Sequence, residues 1–194
     1  MSPLCSIEDV KLYFSITSSS EDSVLTALIA AASADIEQYC NRTFAQAAYT
    51  ETRNGNGGDR IGVRQWPIVS VQSVTVDGLI VPLAANAVSD GVVFSDDAIY
   101  IRNRGRPGYP SAPWCFARGV QNVVLQYTAG YQTIPADLNQ ACVEFVGWKR
   151  AKRSRIDKKN ETLGSQQTQG YDLSEAPASV LAALRSYRLP MIPP

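Results

Sequence analysis

The chain has 194 residues, of which 45% are hydrophobic and 19% charged, and its net charge is zero. This composition excludes an intrinsically disordered chain and predicts one domain, or one domain with a large insertion, that folds without a metal or a disulfide. The apolar run around residues 28–32 and every other apolar run are too short to cross a membrane, and we expect neither a membrane span nor a signal peptide.

Two helices are predicted in the first 44 residues. Ser6 is placed to cap a short first helix, and Ser18 and Glu21 have the spacing of a capping box for a longer one. The second helix is predicted to end near Asn41. Its apolar stripe recurs at three- and four-residue steps: Leu25, Leu28, Ala32, Ile36 and Tyr39.

Residues 45–131 alternate in polarity and predict an inserted antiparallel β domain. Asp77–Gly78 is a hairpin turn signal, and Ser95–Asp97 separates two further β-rich runs. Residues 103–119 are rich in glycine, proline and arginine, which favours a long loop before a strand over residues 120–129.

The pattern returns to helical at Pro135, which suits a first helical turn. This third helix is predicted over residues 132–153, followed by a polar linker within residues 154–170 and a short helix from Pro177 to Arg188. The six residues after Arg188 are apolar or proline and predict an extended tail. No internal repeat is visible.

The segment NGNGGDR, Asn54 to Arg60, has the glycine content of a phosphate-binding loop. Such a loop follows a strand and opens a helix whose amide groups hold the anion. Here no helix opens before Pro135, and β-like segments lie on both sides. The glycines therefore predict a hairpin turn that binds no nucleotide.

No residue pattern predicts catalysis, a cofactor or a metal. The chain has four cysteines and no histidine, so a zinc site or a histidine-activated nucleophile is not expected, and the cysteines are interpreted as reduced, mostly buried thiols. Asp96 and Asp97 are interpreted as turn residues rather than a catalytic pair. Trp66–Pro67 is interpreted as a core tryptophan at a strand start, with a recognition surface as the alternative.

Charge is unevenly distributed along the chain. Residues 1–51 contain seven acids against two bases, whereas residues 149–159 contain seven bases against one acid. The basic run is compatible with a path for nucleic acid or with a solvated helix end favoured by the helix dipole. The opposite charges could also meet between neighbouring copies of the chain.

Several segments together resemble the head–tail connector (adaptor) proteins of tailed bacteriophages. The resemblance covers most of the chain and is carried by residues 6–11 (SIEDVK), 29–44 (IAAASADIEQYCNRTF), 66–74 (WPIVSVQSV), 77–78 (DG), 127–138 (YTAGYQTIPADL) and 171–188. It implies a structural virion protein without a catalytic site. The implied fold is α+β, an α-helical bundle with an inserted antiparallel β domain and a C-terminal docking tail. The large β block and the loop at 102–119 depart from the family pattern.

The resemblance also implies the partners. Family members close a ring of about twelve copies on the portal protein, extend the DNA channel and carry a stopper or tail-terminator protein. We would then expect the chain in the virion neck, close to packaged double-stranded DNA, after assembly in the host cytoplasm and without a membrane partner. One alternative is a nucleic-acid-binding module that uses the basic run; such domains are usually basic overall, and this chain is neutral. A third interpretation is an enzyme that uses lysine or carboxylates on a β scaffold.

Two sets of site residues follow. The basic set is expected to face the DNA channel or an acidic neighbour: Lys149, Arg150, Lys152, Arg153 and Arg155. The docking tail is expected to order on the portal, unless it folds back on the protein's own helices: Leu189, Pro190, Met191, Ile192, Pro193 and Pro194.

Overall fold

The structure, a computed structural model, describes residues 2–86, 89–102, 105–106, 109–153, 160–163, 167–170 and 176–188. The chain divides into two compact units, one formed by Met1–Phe44 with Thr133–Pro194 and the other by Ala45–Gln132. The first is mainly helical and the second is built from antiparallel strands, so the fold is α+β.

The described residues of the first unit contain four helices. α2 packs against α3, α3 against α4, and α1 against both α2 and α3. Their bounds are α1 Ile7–Tyr13, α2 Asp22–Cys40, α3 Ala136–Arg153 and α4 Ala178–Arg185. The buried face of α2 is rotated slightly from the predicted stripe. Ile29 and Cys40 are buried, whereas Leu28 and Tyr39 are only half-buried.

One of the two predicted helix caps is present. Ser6 Oγ accepts a hydrogen bond from Asp9 N–H, and Asp9 Oδ2 accepts one from Ser6 N–H, a capping box that explains where α1 begins. The predicted box at Ser18 is wrong. Glu21 occupies the N-cap of α2 without a side-chain bond, and Ser18 Oγ accepts from Ser20 N–H instead. α2 ends at Cys40, close to the predicted end, and Asn41 is its C-cap in a left-handed conformation (φ 55°).

The C-terminal part differs from the predicted linker. Asn160–Leu163 (β10) pairs antiparallel with Gln167–Gly170 (β11), so this stretch contains a β-ladder. The last helix is shorter than predicted and ends at Arg185. Arg155 and the tail residues 189–194 lie outside the described residues.

The second unit contains two larger sheets that share one apolar core. One has the order β1-β9-β3-β4, the other β2-β6-β5, and a short β7-β8 ladder lies apart. The strands are β1 Ala47–Gly55, β2 Arg60–Gly62, β3 Ile68–Val76, β4 Leu79–Val81, β5 Gly91–Phe94, β6 Ala98–Arg102, β7 Gly105–Arg106, β8 Tyr109–Pro113 and β9 Gly119–Ala129. β9 supplies four fully buried core residues: Val123, Leu125, Tyr127 and Ala129.

Two of the three hairpins predicted from turn residues are confirmed. β3 and β4 are joined by Asp77 (φ 51°) and Gly78 (φ 77°), the pair of positive φ angles that this tight turn requires. β5 and β6 pair antiparallel on either side of Ser95–Asp97. The predicted loop at 103–119 is wrong in part, because β7 and β8 pair within it.

The glycine segment does turn the chain, but it does not form the predicted hairpin. β1 pairs with β9 and β2 pairs with β6, so the segment links two different sheets. Alternation of polarity predicts strands, but it does not say which strand each one pairs with.

Candidate functional site

The C-terminal part of α3 carries the described members of the predicted basic set. Lys149 Nζ lies 2.6 Å from Asp35 Oδ2 on α2 and 4.9 Å from the centre of the Phe145 ring. Arg150 Nη2 lies 2.8 Å from Glu21 Oε2, at the start of α2. The acidic and basic regions of the sequence therefore meet within one chain at these two pairs.

Lys152 and Arg153 complete this helix end and are both exposed. Lys152 Nζ lies 4.8 Å above the Trp148 ring, which holds its aliphatic stem along the helix. Arg153 borders a shallow depression of about 540 Å³. Of the described basic residues of α3, these two have no carboxylate partner among the ion pairs of the described residues.

The floor of this depression depends on Gly147. Its Cα is in contact with the Phe14 ring, and a Cβ there would lie 2.2 Å from Phe14 Cζ. Phe14, which follows α1, and Val24 of α2 supply the apolar part of the lining, and Glu21, Arg150 and Arg153 supply the charge.

The three glycine amides of the glycine segment are occupied by internal hydrogen bonds. Gly57 N–H donates to Phe116 O at 2.7 Å, Gly58 N–H to Asn56 Oδ1 at 2.8 Å, and Gly55 N–H to Asn122 Oδ1 at 2.9 Å. These are the groups that would hold an anion. Their internal hydrogen bonds support the prediction that the segment binds no nucleotide.

Sequence reasoning missed a buried polar cluster in the second unit. Tyr127 Oη donates to Glu51 Oε1, which also accepts from Arg64 N–H at 3.0 Å, and Gln65 N–H donates to Tyr127 Oη at 3.2 Å. Burial, and then the bond to the Glu51 carboxylate, raise the pKa of Tyr127 well above its usual range. Alternation of polarity could not pair Glu51 with Tyr127 without the β1–β9 register, in which Glu51 lies opposite Leu125.

The remaining candidate residues have structural roles. Asp97 accepts from Ser95 Oγ at 3.0 Å and pairs with Arg60 at 3.0 Å, as expected for a turn residue. Trp66 is half-buried and precedes a cis proline. All four cysteines are free, and all but Cys115 are buried. Within the described residues, no three His, Cys, Asp or Glu side chains are grouped so that they could hold a metal ion.

None of the helices in the described part of the chain is long and apolar enough to cross a lipid bilayer.

The comparison with protein families decides the class of this protein. The family model for head completion proteins matches residues 3–189, nearly the whole chain. This chain belongs to the head completion protein family. The match confirms the resemblance to phage head–tail connectors. Head completion proteins are structural virion proteins and not enzymes, which agrees with the sequence prediction.

Solved structures with a similar fold come from a gene transfer agent (GTA), and no curated protein matches the sequence. A chain in the neck of an empty GTA particle, computed with C6 symmetry, is 15% identical with a TM-score of 0.53; the match covers 97% of this chain and 91% of that one. A chain in the neck of the native particle, computed with C12 symmetry, is 16% identical with a TM-score of 0.48, covering 87% and 84%. At this identity the first match shows the fold of this head completion protein.

Proposed function

We propose that this head completion protein forms a closed ring at the neck of a tailed phage or a phage-derived particle, seated on the portal protein. The observation that carries the proposal is the family match over residues 3–189, together with a fold shared over 97% of the chain with a protein from a particle neck. In this position the ring extends the DNA channel and carries the stopper or tail-terminator protein.

A ring requires two different surfaces on each copy that fit each other. The neck that contains the similar chain was computed with C6 symmetry, and a ring of about twelve copies is compatible with this symmetry. The ion pairs of Lys149 and Arg150 with Asp35 and Glu21 lie inside one chain, so they leave those four groups less able to join copies.

The basic set is therefore proposed to act mainly through Lys152, Arg153 and Arg155, facing the channel or an acidic neighbour. Lys152 and Arg153 are exposed at the helix end, whereas Lys149 Nζ and Arg150 already have carboxylates within 3 Å. Two partly neutralised cations on a neutral chain do not favour an independent nucleic-acid-binding module.

The tail, residues 189–194, is proposed to dock on the portal. Its prolines restrict the backbone before binding, which reduces the entropy lost when Leu189, Met191 and Ile192 are buried. A weak contact repeated around a ring becomes firm through multivalency.

Co-expression with a portal from a tailed phage or prophage that encodes this chain tests the proposal. We expect electron microscopy to show a ring of copies on the portal, and a chain truncated after Arg188 to keep its melting temperature but to lose attachment. Monomers that never associate with portal-bearing capsids would contradict the ring. A truncated chain that still attaches would contradict only the docking role of the tail.

A further inference from the structure

Two buried thiols lie against each other in the helical unit. Cys5 precedes α1 and is 3% exposed, while Cys142 lies on α3 and is 0% exposed. The Cys5 thiol donates to Cys142 Sγ over 3.2 Å, although the two residues are 137 positions apart in the chain. A disulfide has a sulfur–sulfur distance of about 2.05 Å, so closure needs a movement of only about 1.2 Å.

The segment that contains Cys5 is held from two sides. Leu4 N–H donates to Ser33 Oγ of α2 at 3.0 Å, and Ser33 Oγ lies 3.8 Å from Cys142 Sγ. Asn139 of α3 donates to Asp9 Oδ2 at 3.1 Å. Ser33 therefore contacts both the backbone next to one thiol and the sulfur of the other.

The other cysteines have no such neighbour. Cys40 Sγ donates to Leu184 O over 3.9 Å, and Cys115 belongs to the other unit. They provide internal controls for any oxidation of the pair.

We propose that Cys5 and Cys142 are an oxidisable pair that forms a disulfide in an oxidising thiol–disulfide pool and so fastens the segment before α1 to α3. The oxidant is a small disulfide such as glutathione disulfide. Because both sulfurs are buried, the reaction proceeds through a brief local opening that admits the oxidant to Cys142 while the Cys5 thiol still contacts it.

The exchange has two steps. The Cys142 thiolate attacks one sulfur of glutathione disulfide, whose sulfur–sulfur bond breaks and releases one glutathione thiolate. The Cys5 thiolate then attacks the Cys142 sulfur of the mixed disulfide and releases the second glutathione. The two cysteines give up two electrons and two protons, and glutathione disulfide is reduced to two thiols.

Cys142 is the better first nucleophile. The hydrogen bond from the Cys5 thiol lowers the pKa of Cys142, the Ser33 hydroxyl adds a smaller effect in the same direction, and together they outweigh the opposing effect of burial. A thiolate is the reactive form in exchange.

A consequence for the particle depends on the neck position proposed above. In a reducing host cytoplasm the pair stays open while the ring assembles, and it closes after the particle is released into an oxidising medium. The chemistry itself concerns the isolated chain. Failure of the exchange would leave the neck position untouched, and failure of ring assembly would leave the exchange untouched.

The test exposes the wild-type chain to glutathione disulfide, blocks the remaining thiols in denaturant, and maps the peptides without reduction. Before blocking, we expect a monomer that is lighter than the reduced chain by two hydrogens. After blocking, the Cys5 and Cys142 peptides should be joined, and Cys40 and Cys115 should carry the blocking group. The melting temperature should rise by about 4 °C or more and return on reduction, because the bond closes a long loop. Four blocked thiols, a stable glutathione adduct on Cys142, or a different pairing would overturn the proposal.

Three variants complete the test. The Cys40→Ser/Cys115→Ser chain should close the same bond at the wild-type rate. Ser33→Ala should slow closure by about threefold or more, whereas Ser23→Ala, on the exposed side of the same helix, should not. Equal rates for Ser33→Ala and Ser23→Ala would contradict the positioning role of Ser33.

Discussion

Lys149 on α3 and Asp35 on α2 form an ion pair of 2.6 Å, and the ammonium group also lies over the Phe145 ring. The Lys149 side chain is 19% exposed, whereas that of Asp35 is 50% exposed. Such a pair is screened by solvent and contributes about 1 kcal/mol or less to stability. Its main effect is to remove one cation from the surface of the helix end.

Two double substitutions at this helix end should therefore differ. We expect Lys152→Gln/Arg153→Gln to weaken ring assembly or DNA retention. The difference from wild type should be larger at low salt, because the wild-type charge contacts are strongest there. Lys149→Gln/Arg150→Gln removes the same charge but breaks internal pairs, so it should mainly lower the melting temperature by a few degrees. Equal assembly of the two variants across ionic strengths, measured by particle yield, would refute the distinction.

Gly55 is expected to be the most sensitive glycine of the loop. A Cβ there would lie 1.8 Å from Ala117 O and 2.9 Å from Phe116 O, both backbone atoms that cannot move without disturbing the sheet. Gly55→Ala should lower the free energy of unfolding by about 3 kcal/mol, as in an overpacked core. Urea unfolding measures the loss.

The matched control is Gly62→Ala in β2, because a Cβ there meets nothing within 4 Å. Its effect should stay within about 1 kcal/mol. A similar loss for both variants would show that the close approach at Gly55 does not decide the result.

Tyr127→Phe tests the buried polar cluster. The substitution removes a hydroxyl that donates to Glu51 and accepts from Gln65 N–H, so both of these hydrogen bonds in the second unit are lost. We expect a loss of about 1–3 kcal/mol by chemical denaturation. Tyr49→Phe, on a ring 5.9 Å away that is half-buried, should cost much less.

Glu37 should make stability depend on pH. Burial raises the pKa of its carboxyl, and the hydrogen bond from Phe44 N–H only partly offsets this. A raised carboxyl pKa means that the contribution of Glu37 is fully present below the pKa of the unfolded chain and is lost as pH rises through the folded-state pKa.

Glu37→Gln keeps an acceptor for Phe44 but does not titrate. The melting temperature of this variant should approach that of wild type near about pH 4 and exceed it progressively toward pH 8. A constant difference across this range would show that Glu37 does not titrate differently in the folded and unfolded chains.

The sequence predicts a contact correctly where the interacting groups are close together in the chain. Ser6 caps its helix through its own hydroxyl, and Asp77–Gly78 adopts the positive φ angles that define its turn. In each case the interacting groups are within a few residues, so spacing alone predicts the contact. The predicted box at Ser18 failed because the serine hydroxyl found a nearer partner in Ser20.

Contacts between distant segments could not be predicted in this way. The pairing of β1 with β9 rather than β2 depends on which strands lie side by side, and polarity alternation is the same in both cases. Likewise the sequence shows the charges of α3, but it does not show that Asp35 and Glu21 are their partners, because this depends on how α2 packs against α3. The closeness of Cys5 and Cys142 has the same origin.

The first and last residues of the second unit, the β unit, lie next to each other. Ala45 forms a bridge with Tyr131, Gln46 N–H donates to Tyr131 O at 3.1 Å, and Gly130 (φ 107°) allows the two strands to approach there. An insertion whose two ends lie side by side and which has its own core can join another chain with little change in that chain's structure. Recombination between related genes can therefore exchange this whole unit as a cassette while the helices are inherited unchanged.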